Sequence, residues 1–156
     1  MIGKARTCIW MDKQGEAAAE FYVSLLPGSR IESVGRYPEG SAHGTPGAAM
    51  VVDFTLAGTP YRILNGGPMF ALSEAVSIAV STADQAETDR LWDALTADGG
   101  AESMCGWCKD RFGLSWQIVP EPATALLSGP AAAKVWPALM SMRRIDIEAL
   151  RRAAAG

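Results

Sequence analysis

The chain has 156 residues, 49% of them apolar and 20% charged, with a formal net charge of −3. That is enough apolar side chain for one packed core, or for two half-domains that share one. A negative balance without a basic run argues against nucleic acid as a partner, and no stretch approaches a membrane span.

Met1 to Arg6 is not followed by an apolar run long enough for a signal peptide, and three cysteines fit a reducing cytosol better than a disulfide framework. The expectation is a cytoplasmic α+β protein.

Thr7 to Met11 reads as a first strand, and Asp12 as a cap for a helix over Glu16 to Leu26. That segment carries Ala18, Phe21, Tyr22 and Leu25 at helical spacing and is stopped by Pro27-Gly28. Ile31 to Tyr37 is a second strand, and Pro38 to Gly47, rich in Gly, Pro and Ser, is a loop containing His43. Ala49 to Leu56 and Tyr61 to Leu64 form a hairpin, after which Asn65-Gly66-Gly67-Pro68 breaks the chain.

The pattern then restarts. Val76 to Val80 is a strand, Thr82 with Gln85 has the spacing of a capping box, and Asp84 to Ala97 is a helix with Leu91, Trp92 and Leu95 on one face. Glu102 to Cys105 is a further strand, followed by a hairpin from Gly106 to Pro120 that turns at Arg111–Gly113. From Pro122 the chain is alanine-rich and helical, with breaks expected at Pro130 and Pro137.

The two halves match by offset. Ile9 precedes Ile78 by 69 residues and Phe21 precedes Leu91 by 70, while an offset of 55 brings Gly58 onto Gly113 and Tyr61 onto Trp116. Each half therefore reads as strand–helix–strand–strand–strand, and neither buries its sheet alone. The expected architecture is α+β: two tandem βαβββ modules, about 5–66 and 74–120, forming a curved mixed sheet in one domain, with a helical tail over about 122–152.

Strand parity sorts the side chains. Ile9, Met11, Tyr61, Ile63, Ile78, Val80, Trp116 and Ile118 alternate together and should pack beneath the two helices. The opposite face then carries Cys8, Trp10, Arg62, Ser77, Ala79 and Gln117, with Asp53 from the neighbouring strand. Small residues beside an aromatic and several polar groups suit a small-molecule pocket. Equally, Arg62 and Asp53 can form an ion pair across adjacent strands, and Trp10 can fill the space left by Ser77 and Ala79. Trp107 and Lys109 lie in a strand of ambiguous parity and line either the pocket or a subunit contact.

Cys105-Gly106-Trp107-Cys108 is a C-x-x-C sequence, but it enters a hairpin rather than opening a helix, where thiol pKa values fall. Two ordinary buried thiols are expected. A single histidine leaves no convincing Ser–His–Asp set, and the carboxylate pairs of the second helix describe a solvated face.

The paired module resembles the vicinal oxygen chelate superfamily of glyoxalases and extradiol dioxygenases. Phe21 to Pro27, Leu64 to Pro68, and Cys105-Gly106-Trp107 through Trp116 to Pro120 resemble its PhnB-like branch, often labelled 3-demethylubiquinone-9 3-methyltransferase. The resemblance implies a glyoxalase-like fold and a homodimer with sites near the interface. It also implies metal ligands near Arg6, Arg62, Ala75 and Gln117, where two arginines, an alanine and a lone glutamine predict no metal. No glycine-rich strand–turn–helix fingerprint for S-adenosylmethionine occurs, so no cofactor is expected. The expected function is a metal-free small-molecule-binding protein whose ligand is anionic or aromatic. Its site comprises Trp10, Asp53, Arg62, Asn65, Ser77, Trp107, Lys109 and Gln117. The alternatives are an enzyme of glyoxalase or methyltransferase-like type using Asp53, and a protein that sequesters a toxic molecule.

Overall fold

Alternation of apolar and polar side chains sets up eight strands. The computed structural model describes residues 4–156 and resolves into two units, one ending at Leu72 and the other beginning at Ser73. In the first, β1 (Thr7–Met11), α1 (Gly15–Leu25), β2 (Arg30–Arg36), β3 (Ala49–Leu56) and β4 (Thr59–Asn65) form a βαβββ module. In the second, β5 (Ser77–Thr82), α2 (Gln85–Thr96), β6 (Ala101–Glu102), β7 (Trp107–Lys109) and β8 (Ser115–Pro120) repeat it. Three helices follow: α3 (Glu121–Ser128), α4 (Ala132–Met140) and α5 (Ile147–Ala155).

Each unit builds one four-stranded mixed sheet, in the order β1-β4-β3-β2 or β5-β8-β7-β6. The first and last strands of each module run parallel, and the other pairs are antiparallel. The ladder places Thr7 beside Tyr61 and Ile78 beside Trp116. The offsets of 69 and 55 would instead have placed Ile9 beside Tyr61. The register differs by two residues, and an even slip keeps every side chain on its expected face.

Six of the eight expected helix-facing side chains are buried, while Tyr61 and Val80 stay half-buried. Ile9, Met11 and Ile63 are buried with Ala18, Ala19, Tyr22 and Leu25 of α1, and Ile78, Trp116 and Ile118 with Leu91, Trp92 and Leu95 of α2. Gly15 lets α1 close on β4, because a Cβ there would meet Ile63 Cγ2 and Asn65 Oδ1 at 2.5 Å.

Several local expectations change. Thr82 and Gln85 form no capping box: Asp84 is the N-cap, with its carboxylate accepting from Glu87 N at 2.9 Å, and Glu87 accepts from Ala83 N at 2.8 Å. Thr82 is instead buried against Thr88, hydroxyl to hydroxyl at 2.6 Å. The strand expected over Glu102 to Cys105 stops at Glu102, since Cys105 and Gly106 turn to φ of +56° and +84°. There Cys105 N and Gly106 N donate to Met142 O and Arg143 O, both at 2.8 Å, which fastens the tail to the hairpin.

Pro130 separates α3 from α4, as expected, but Pro137 sits inside α4 without ending it. The tail closes around its own core of Ala123, Val135, Leu139, Ile145 and Leu150. The Gln85 amide ties it to α2 by donating to Ile145 O at 3.0 Å and accepting from Ile147 N at 2.9 Å.

Candidate functional site

In the first unit, the face turned away from α1 carries one charged constellation. Cross-strand register sets Cys8 and Asp53 on either side of Arg62, with Trp10 two residues along β1. Arg62 donates from Nε to Asp53 Oδ1 at 2.7 Å and from Nη2 to Oδ2 at 2.8 Å, a two-pronged pair across adjacent strands. Arg6 Nη1 lies 3.0 Å from the same Oδ1. One buried carboxylate is thus shared by two guanidinium groups, and the cluster carries a net positive charge. The Arg62 hydrogen bond, reinforced by Arg6, holds the Asp53 carboxyl below its ordinary range against an opposing effect of burial.

Trp10 is half-buried and already engaged. Its Nε1 donates to Gly67 O at 2.8 Å, its ring lies over Gly66, where a Cβ would collide with it, and the Phe70 ring meets it edge-on at 4.9 Å. Trp10 and Phe70 therefore make an aromatic wall beside the charged cluster, with Phe70 exposed.

In the second unit, the ladder resolves the parity that the sequence left open. Trp107 faces Gln117, and Lys109 faces Ser115, which faces Ser77. Ser77, Gln117, Trp107 and Lys109 therefore share the face turned away from α2. This surface is neutral in balance. Gln117 Nε2 donates to Ser77 Oγ at 2.9 Å, and Lys109 Nζ is paired with Glu74 at 2.6 Å.

Asn65 does not join Trp10, Asp53 and Arg62. It carries the parity of Ile63, so it points to the helix side, and its amide is consumed internally. Oδ1 accepts from Gly15 N at 2.9 Å, and Nδ2 donates to Ala49 O at 2.9 Å. Asn65 is the tertiary cap of α1, whose own N-cap, Gln14, makes no side-chain cap bond, and Asp12 does not cap it. The alternation Tyr61–Ile63–Asn65 already contained that signal.

The sequence reading also missed Asp110. Its buried carboxylate accepts from Phe112 N at 2.8 Å, Leu114 N at 3.1 Å and Trp116 Nε1 at 2.8 Å, and so shapes the β7–β8 turn. An aspartate three residues before Gly113 in a hairpin loop was the available clue. Cys108 lies opposite that face, buried, with its thiol pushed up to about 12 chiefly by burial. Cys105 instead contacts Met140, Sγ to Sδ 3.5 Å.

The residues fit neither group suggested by the resemblance. Among the described residues no three His, Cys, Asp or Glu side chains gather to hold a metal, and the one buried acid on the open face is saturated by arginines. Nor does Gly66-Gly67 lead from a strand into a helix: after β4 the next element is β5, so no helix N-terminus is offered to an S-adenosylmethionine carboxylate or ribose.

Comparison with known proteins agrees with the fold. A PhnB protein of Bacillus cereus is 28% identical over 76% of this chain and 99% of its own, with a TM-score of 0.70. A Pseudomonas aeruginosa protein matches at 19% identity over 76% and 98% of the two chains, TM-score 0.61. The fosfomycin resistance protein FosX of Mesorhizobium loti matches at 14% over 76% and 92%, TM-score 0.53. No curated protein matches the chain. No helix is long and apolar enough to cross a membrane among the described residues. The model of the 3-demethylubiquinone-9 3-methyltransferase family matches residues 3–119, and the chain belongs to that PhnB-like family of the glyoxalase fold.

Proposed function

We propose that the open face of the first unit binds a small anionic molecule with an aromatic or other flat body, without a metal. The observation that carries this reading is the sharing of Asp53 by Arg62 and Arg6. A structural ion pair needs one cation, and the second leaves an uncompensated positive charge beside the Trp10–Phe70 wall. Arg62 is bonded along its Nε–Nη2 edge, which leaves Nη1 for a carboxylate or similar oxyanion. Ser77, Gln117, Trp107 and Lys109 form a separate polar and aromatic surface on the second unit's own face. Homodimeric assembly and a cytoplasmic location belong to the same proposal and rest on family membership and composition.

The enzymatic alternative would use Asp53 as a general base. A carboxylate held below its ordinary range by two arginines is a weak base and a poor proton acceptor at neutral pH. Binding is the better-supported activity.

Native mass spectrometry of freshly purified protein, with elemental analysis of the same sample, tests the proposal. The expected result is a metal-free chain carrying a small organic mass that Arg62→Met no longer retains. A stoichiometric divalent metal would overturn the metal-free reading. Retention of the same mass by Arg62→Met would remove Arg62 from the site.

A further inference from the structure

The first unit has a concavity that Arg6, Asp53 and Arg62 do not line. A cavity of about 330 Å3 lies where β1 and β4 end, beneath the loop joining β2 to β3. Its size is at the small end of the range for small-molecule sites, about 300 to 1,000 Å3.

The loop over it is fastened at its base. Tyr37 N donates to Ala48 O at 3.0 Å, Gly47 N to Tyr37 O at 2.9 Å, and the Tyr37 hydroxyl to Asn65 O at 2.6 Å. Arg36, paired with Glu16, adds a bond to Gly47 O at 3.2 Å. Gly44, at φ +125°, lies against the Tyr37 ring, where a Cβ would come within 2.5 Å. This loop is the segment by which the first module exceeds the second.

Four exposed polar residues line this cavity from two directions: Asp12 and Lys13 from the β1–α1 turn, His43 and Thr45 from the loop. Among the described residues none of the four forms a side-chain hydrogen bond or ion pair. Arg36 is paired with Glu16, and Arg6 and Arg62 sit against Asp53 outside this lining. The cavity therefore presents one uncommitted anion and one uncommitted cation, with a donor–acceptor imidazole and a hydroxyl, around the small side chains of Ala48 and Ala49.

We propose that this cavity binds a small zwitterion, a molecule bearing both an ammonium group and a carboxylate on a short aliphatic body. A simple anion gains from Lys13 and loses to Asp12, and a simple cation does the reverse. Only a ligand with both charges satisfies both side chains at once. Asp12 takes the ammonium, while Lys13, with His43 and Thr45, takes the carboxylate.

The chain's single histidine makes the test direct, because its ring protons give one isolated set of NMR signals. Untagged protein is titrated with glycine, β-alanine and 4-aminobutyrate, and in parallel with acetate and methylammonium. At least one zwitterion should shift the His43 signals saturably, with a dissociation constant of about 1 mM or tighter, and the two single-charge probes should not. Asp12→Asn and Lys13→Met should each weaken that response about tenfold, while Lys134→Met, which removes an exposed charge on α4, leaves it unchanged. The proposal fails if no zwitterion saturates, if acetate matches the best of them, or if Lys134→Met weakens binding as much as Lys13→Met. Because this cavity shares none of Arg6, Asp53 and Arg62, its failure leaves the open-face reading standing, and the converse holds.

Discussion

The two units share a strand order and solve the same structural problems with different residues. Each must start a helix after its first strand. The first unit borrows a cap from β4, the Asn65 amide on Gly15 N. The second builds its cap locally, with Asp84 and Glu87 satisfying backbone groups in turn. Each also leaves one sheet face free of its module helix. The first places a buried acid between two arginines there, and the second a neutral amide–hydroxyl bond. The β topology depends on alternation alone, so it survives when everything else diverges. The chemistry resides in helix starts, open-face residues and connecting loops, which alternation does not constrain.

Removing each cap would sharpen the contrast. Asn65→Ala strands a buried N–H at Gly15 and a carbonyl at Ala49, which at about 1 to 3 kcal/mol per orphaned group predicts a loss of about 3 kcal/mol in urea unfolding. Asp53→Ala comes next. It leaves two guanidinium groups facing each other, but Arg62 is 40% exposed at its side chain, so solvent limits the loss to about 2 kcal/mol. The equivalent change on the second sheet, Gln117→Ala, should cost less than about 1 kcal/mol. Asp84→Ala removes a local cap and should cost about 1 kcal/mol. If Asn65→Ala proved no worse than Asp84→Ala, the borrowed cap would have no special weight.

Acid would act on the first unit through the same cluster. Asp53 has its folded pKa depressed, first by the Arg62 hydrogen bond. The stability it contributes is fully present above the unfolded carboxylate value of about 4 and is lost as pH falls through the lower folded value. Asp53→Asn lacks this titration. The gap in unfolding free energy between wild type and Asp53→Asn should therefore be constant from neutral pH down to about 4 and narrow below it. A gap that widened on acidification would mean that burial, not the arginines, governs Asp53.

Much of this was legible in the sequence. The two βαβββ patterns, the helix-facing apolar set and the placement of Arg62 opposite Asp53 followed from a period of two. Asn65 was misplaced because its polarity was weighed above its parity, although Tyr61 and Ile63 already pointed it inward. The Asp84 cap was missed because Thr82–Gln85 has the same spacing as Asp84–Glu87, two positions earlier, and only backbone geometry separates them. The strand over Glu102 to Cys105 failed because a non-glycine residue took φ +56° at Cys105, a conformation that propensity does not foresee. The β2–β3 loop was read as a connector, since nothing in its composition shows that Tyr37 would clasp it.

The thiols give the smallest effect and the finest comparison, since their modification tests environment rather than stability. Cys8 is exposed on the first sheet, Cys105 is half-buried against Met140, and Cys108 is buried beneath the second sheet. Alkylation requires thiolate and access. Cys8 has access, Cys105 partial access, and Cys108 neither, with its thiol held protonated up to about 12 by burial and by the Asp110 and Glu102 charges. Iodoacetamide at neutral pH, followed by peptide mass mapping, should label Cys8 first, Cys105 more slowly, and Cys108 only after urea unfolds the chain. Simultaneous labelling of Cys105 and Cys108 in the folded protein would mean that the hairpin opens as a unit. The C-x-x-C pair would then deserve its redox reading after all, because a shared opening is what a working dithiol needs and what the Cys105–Met142 and Gly106–Arg143 bonds otherwise prevent.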